Sequence, residues 1–133
     1  MDSQQALAFC TTWLGSWTGN RPEELSLFYS EDAFYRDPAN PQGLRGRAEI
    51  LAYLRTLLKH NPGWVWEAEE VFLIHGGFVL RWRAGIPVGR EIVRENGLDI
   101  VLLRDGLITR NEVFFDRSTL LTRMKQLHAQ GKP

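Results

Sequence analysis

Two acidic residues in this sequence sit where acids are out of place. Asp37 closes the aromatic run of "FYSEDAFYRDPANPQG", directly before Pro38 and on the same side of an extended segment as Tyr35. Asp99 interrupts "NGLDIVLL", a stretch otherwise suited to an apolar sheet. A carboxylate in an apolar pocket loses hydration, which disfavours its charge, and a second carboxylate nearby raises the pKa of one member further. Two such acids can divide into a proton-abstracting base and a neutral hydrogen-bond donor. Proton removal next to a carbonyl needs that division, because one group must reach the carbon proton while another holds the developing enolate oxygen. Each aspartate also has a plain structural use. Asp37 can terminate a strand by accepting backbone N–H groups, and Asp99 can accept from Asn111 or an indole.

The elements that must position these residues run helices first, strands later. Asp2 or Ser3 caps a first helix whose Phe9, Trp13 and Trp17 recur at helical spacing, with Gly19-Asn20 as its stop. Pro22 with Glu23-Glu24 opens a short helix through Phe28. Residues 33–37 read as a strand, 38–46 as a loop with breakers at Pro41, Gly43 and Gly46, and 47–59 as a third helix. Its apolar face is Ile50, Leu51, Leu54, Leu57 and Leu58.

From Val65 onward the period becomes two. Strands at 65–74 and 78–84 flank Gly76-Gly77, and a turn there sets Glu70 opposite Arg83 and Phe72 opposite Arg81. A loop at Gly85-Ile86-Pro87 precedes a long strand ending in "NGLDIVLL", then "RDG" and "LITRNEVFFD". A two-residue Asp105-Gly106 turn would face Asp99 with Glu112, two like charges across an apolar sheet. A three-residue loop with Gly106 in a bulge faces Asp99 with Asn111 instead, flanked by Val101, Thr109 and Val113, and that register is the expected one. A last helix, capped by Asp116 or Ser118, carries Leu120, Leu121, Met124 and Leu127 before Gly131. Gly76, Gly97 and Gly106 read as turn or bulge devices, not phosphate loops.

Composition narrows the function classes. The 133 residues fit one domain, 1–133, and the sixteen basic and sixteen acidic side chains cancel. Nucleic acid and anionic membrane surfaces are therefore not expected partners. The N-terminus has no signal-peptide pattern and no apolar run nears the roughly 18 residues of a membrane span, so a cytoplasmic location is expected. Cys10 is alone among apolar neighbours and reads as a small buried hydrophobe. His60, His75 and His128 lack metal-ligand spacing.

The order of elements, with "YRDP" ending the first strand and "GLD" and "DGLITRNEVFFD" in the last hairpin, resembles the nuclear transport factor 2-like cone fold. Within it the chain is most similar to the SnoaL-like polyketide cyclases and ketosteroid isomerases, over residues 5–121. The resemblance implies an α+β fold, a curved antiparallel sheet wrapped around N-terminal helices and enclosing an apolar pocket. It implies Asp37 as general base and Asp99 as a protonated oxyanion donor, with no cofactor and no metal. The isomerase tyrosine donor has no counterpart, since Trp13 falls at its place and an indole N–H donates without acting as an acid. The Arg-Asp pair of limonene epoxide hydrolases is absent too, with Glu112 and Val113 at those positions. Trp13, Tyr35, Trp66, Trp82, Asn111, Val113 and Phe115 are the expected pocket residues.

Three function classes follow. One is acid–base isomerase or cyclase chemistry on a small apolar carbonyl compound, another is binding of a hydrophobic metabolite without turnover, and the third is a dimeric scaffold with a closed pocket. A homodimer through the outer sheet face, with Ile100, Leu102 and Phe114, is expected because a sheet apolar on both faces needs a second cover.

Overall fold

The computed structural model describes residues 1–130, and the expected stop at Gly131 lies outside them. Helix α1 (Ser3–Gly15) begins at a capping box, in which Asp2 Oδ1 accepts from the Gln5 N–H and Gln5 Oε1 from the Asp2 N–H, both at 2.8 Å. It ends at Gly15, ahead of the expected Gly19-Asn20 stop, because Gly15 and Ser16 are weak helix formers. Trp17 consequently leaves the helical stripe.

Helix α2 (Pro22–Ser26) is shorter than expected, and strand β1 (Tyr29–Asp37) correspondingly longer. Residues 38–46, expected as a loop, contain strand β2 (Asn40–Arg45), which folds back on β1 as a hairpin. The breakers are compatible with this. Pro41 is tolerated on an edge strand, and at Gly43 a Cβ would come within 2.3 Å of the Phe34 ring. Helix α3 (Arg47–His60) buries Ile50, Leu54 and Leu58, while Leu51 and Leu57 are half-buried.

Strands β3 (Val65–Ile74), β4 (Gly77–Val88), β5 (Glu91–Arg104) and β6 (Leu107–Phe114) complete a six-stranded sheet of order β2-β1-β6-β5-β4-β3, followed by helix α4 (Ser118–Ala129). Every neighbouring pair is antiparallel except β1 with β6, which makes the sheet mixed at one junction. The β3–β4 turn is His75-Gly76, not Gly76-Gly77, so Glu70 faces Arg81 and Phe72 faces Val79. Gly77 belongs inside the strand because a Cβ there would lie 1.9 Å from the Val101 carbonyl oxygen of β5. Strand β4 also runs through Gly85-Ile86-Pro87 without a loop, since Ile86 and Val88 continue its inward alternation, and the chain turns at Gly89-Arg90.

The last hairpin differs from both registers considered. Asp105 and Gly106 form a two-residue turn with φ of +53° and +79°, the pair of left-handed residues such a turn favours. The register then shifts within β6 at Thr109, so that Asp99 pairs with Val113 and Val101 with Asn111. The chain thus avoids facing Asp99 with Glu112 by a bulge in the strand instead of in the turn. Asp99, Val101, Asn111 and Val113 remain on the inner face.

Trp13, Tyr29, Phe78, Leu80, Val101 and Ile108 form the packed core with Ile50, Leu54 and Leu58 of α3. Burying each large apolar side chain contributes about 1.5–3 kcal/mol. Among the described residues no helix is long and apolar enough to cross a membrane.

Candidate functional site

Beyond the C-terminal end of α1, the core gives way to a cavity of about 270 Å³. Leu14 and Trp17 supply one wall, Tyr53 and Leu57 of α3 with its capping residue Asn61 another, and Trp66, Trp82, Asp99 and Val113 of the sheet the floor. Leu120, Leu121 and Met124 bring α4 to its edge, with Leu121 and Met124 nearly half exposed. Asp37 and Asp99 both line it.

The β1–β2 turn determines the surroundings of Asp37. Pairing of Asp37 with Asn40 wraps Pro38-Ala39 around the carboxylate, so Oδ1 accepts from the Ala39 N–H at 2.9 Å, the Asn40 N–H at 2.8 Å and Asn40 Nδ2 at 3.0 Å. Oδ2 accepts from the hydroxyls of Tyr35 and Tyr53, each at 2.7 Å. Tyr35 is there because alternate residues of a strand share a face, and Tyr53 because α3 packs beside β1. Five donors fill the lone pairs a carboxylate offers. Burial, then the Asp37 charge, hold the Tyr53 phenol above its ordinary range, and the same causes act more strongly on Tyr35.

Asp99 is 4% exposed and has far fewer donors. Trp82 Nε1 donates to Oδ1 at 2.8 Å and Asn111 Nδ2 to Oδ2 at 2.9 Å. One donor per oxygen leaves each with a spare lone pair. Desolvation by burial pushes the Asp99 pKa from 3.8 to about 7, opposed by the hydrogen bonds from Asn111 and Trp82 and assisted by the Asp37 charge. Behind it the Tyr29 hydroxyl donates to Asn111 Oδ1 at 2.8 Å, which fixes the amide so that its NH₂ points at Asp99. Gly97, expected as a turn or bulge residue, is a strand-interior cradle: it pairs with Trp82, and a Cβ on it would lie 2.3 Å from the indole ring. Its bare backbone lets the indole lie across the strand and reach Asp99.

Of the expected pocket residues, Tyr35, Trp66, Trp82, Val113 and Phe115 line the cavity with the two aspartates. Trp13 and Asn111 do not. Both are fully buried, Trp13 in the core one residue before the cavity-lining Leu14, and Asn111 behind Asp99. Trp17, Tyr53, Trp64 and Arg117 also line the cavity and are not among the pocket residues expected from the sequence. The "FCTTWLGSW" spacing contained the signal for Trp17, had the helix been ended at Gly15. Tyr53 sits among the leucines of α3 with no local signal, and Arg117 likewise between Asp116 and Ser118.

The profile of the SnoaL-like domain family matches residues 10–111. No curated protein matches the sequence. Among solved structures, a hypothetical protein with a ketosteroid isomerase-like fold from Catenulispora acidiphila, in complex with trimethylamine, superposes with a TM-score of 0.76 at 18% identity, covering 94% of this chain and 93% of that one. A candidate SnoaL-like polyketide cyclase from Shewanella putrefaciens gives a TM-score of 0.77 at 14% identity, over 92% of this chain and 86% of the other. An NTF2-like protein of unknown function from Cytophaga hutchinsonii gives 0.62 at 13% identity, over 85% and 91%. At these identities the likeness is one of fold.

Proposed function

The chain belongs to the SnoaL-like domain family, and from that premise we propose that it binds a small carbonyl compound in the aromatic cavity and moves a proton next to the carbonyl, in the manner of an isomerase or cyclase. Asp99 is the proton-transfer group in this reading. The observation that carries it is a cavity-lining carboxyl with a spare lone pair on each oxygen and a pKa pushed to about 7. A group that titrates near the working pH is both present as a base and able to return the proton. Asp37, named from the resemblance as the base, has both oxygens occupied by five donors, and here it orders the Tyr35 and Tyr53 hydroxyls at the cavity wall. In this reading a ligand oxygen competes with the Asp37 carboxylate for those hydroxyls, which supply the donors an enolate oxygen needs.

The test is solvent deuterium exchange at the carbon next to the carbonyl, screened over small cyclic ketones and keto esters with wild type, Asp99→Asn and Asp37→Asn in parallel. Exchange by wild type and Asp37→Asn but not by Asp99→Asn supports the assignment. A compound that binds yet exchanges no faster than in buffer favours the alternative of a binder without turnover.

The same reading includes a homodimer through the outer sheet face. Phe72, Leu98 and Phe114 there are more than 40% exposed, with Ile100 and Leu102 half-buried between them. Light scattering showing only a monomer at micromolar concentration removes the dimer and leaves the cavity reading intact.

A further inference from the structure

The carbonyl reading leaves one cavity residue without a task. Arg117, the residue before α4, lines the cavity, is half-buried, and neither forms a salt bridge nor donates a side-chain hydrogen bond among the described residues. The other arginines packed against the body have partners. Arg36 and Arg110 pair with Glu112, Arg104 with Asp32, Arg123 with Glu91, and Arg47 donates to the Tyr29 carbonyl. A half-buried guanidinium with no protein partner is available to pair with an anionic group on a ligand. Its positive field reaches Tyr53, whose phenol it pulls down against the larger effects of burial and Asp37.

A second observation points the same way. Trp17 is 6% exposed in the wall of the same cavity, and its indole Nε1 is buried with no acceptor. Buried polar groups are normally hydrogen-bonded, so the residues that line the cavity include two whose donors have no protein acceptor. It is also lined by seven aromatic rings, those of Trp17, Tyr35, Tyr53, Trp64, Trp66, Trp82 and Phe115. Rings with carboxylates suit an alkylammonium ion when the carboxylates are unsatisfied and no cation is present. Here Asp37 already has five donors, burial disfavours the charged form of the less fully bonded Asp99, and Arg117 repels a cation.

We propose that Arg117 is the anchoring residue for an acidic oxygen group on the ligand, a planar aromatic or alicyclic carboxylate or a stabilised enolate. The ring system stacks among the aromatic side chains, and the anionic end faces the guanidinium fork, whose geometry matches a carboxylate with two parallel hydrogen bonds. This deepens the cavity reading above and rests on it: the substrate carries a negative charge at one end as well as a reacting carbonyl.

Three planar isosteres of different charge provide the test: naphthoate, naphthamide and naphthamidinium, titrated calorimetrically at neutral pH and low salt. Wild type should bind naphthoate about tenfold or more tightly than naphthamide, the size of one charge-assisted contact. Arg117→Gln should bring that ratio close to one with naphthamide affinity unchanged, which also shows that the cavity is intact. Arg117→Lys should keep part of the preference, because a point charge lacks the fork, and its ratio decides if the Gln variant does not fold. The proposal is overturned if wild type has no preference for naphthoate over naphthamide, including no binding of any of the three, if naphthamidinium binds tightest, or if Arg117→Gln retains the ratio. Charge preference requires no turnover. Preference without deuterium exchange therefore sinks only the catalytic reading, and exchange without preference sinks only this one.

Discussion

Asp37 and Asp99 line one cavity, yet the chain treats them in opposite ways. At the β1–β2 turn five donors converge on a single carboxylate, three from a local turn and two from tyrosines. On β5 a carboxyl with almost no exposure has two donors, an indole and an amide. Burial alone therefore does not make an acid reactive. Burial with full hydrogen bonding makes an anchor, whereas burial with partial hydrogen bonding leaves the charged form costly and the proton available.

The largest effect expected from this difference is on turnover. Asp99→Asn should lower the exchange rate about a hundredfold or more, the contribution typical of a positioned acid–base group, while substrate affinity changes little. Asp37→Asn should cost less in rate. Measured kcat for the two variants on one exchanging compound tests this, and a greater loss at Asp37 reverses the assignment and restores the aspartate of "YRDP" as the base.

Stability should depend on pH through Asp99 with a definite sign. Its folded pKa of about 7 lies above the ordinary 3.8, so the folded chain holds a proton that the unfolded chain has released. The stabilisation is full below about pH 4, is lost as pH rises to about 7, and totals at most about 4 kcal/mol. Urea unfolding of wild type and Asp99→Asn across that range should show wild type losing stability relative to the variant as pH rises. Parallel curves would mean that Asp99 is not desolvated.

Asp37 should show its importance in stability instead. Asp37→Ala leaves two phenols and the turn N–H groups seeking acceptors, at a cost of about 2–3 kcal/mol after water enters the rim. Urea midpoints and slopes would measure it, and a loss below about 0.5 kcal/mol, the range of surface substitutions, would reduce the five hydrogen bonds to solvent-exchangeable contacts.

Much of this scaffold was legible because it is periodic. The alternation of 65–74 gave β3, and the leucines of 47–59 gave α3 to within one residue. What escaped depends on contacts between elements. Strand β2 was hidden by Pro41 and Gly43, each of which suits an edge strand packed over Phe34. Both hairpin registers differed because a turn dipeptide cannot report a bulge at Thr109 or the close approach of Gly77 to Val101. The plain structural uses of the two acids were legible as alternatives, and both occur: Asp37 accepts turn N–H groups, and Asp99 accepts from Asn111 and an indole. Tyr53 as a second phenol on Asp37 was not, because only the packing of α3 against β1 brings it there.

The smallest expected effect separates the two aspartates most selectively. Trp82→Phe keeps a ring in the cavity floor and removes one donor from Asp99. The indole N–H stabilises the ionised form, so its loss should raise the Asp99 pKa by about one pH unit. If the ionised form is the base, the pH–rate profile rises through that pKa, and its midpoint should move to higher pH with little change in the plateau. Gly97→Ala should shift the midpoint in the same direction without touching the donor. A Cβ 2.3 Å from the ring forces the indole off the strand and away from Oδ1, so agreement between the two variants would isolate the hydrogen bond from ring packing. Tyr35→Phe and Tyr53→Phe are the controls, because their hydroxyls donate to Asp37 and not to Asp99. Their midpoints should stay with wild type. A midpoint that moves with the tyrosines and not with Trp82 would transfer the titrating role to Asp37, where the five donors would then have to be broken by substrate before any proton could move.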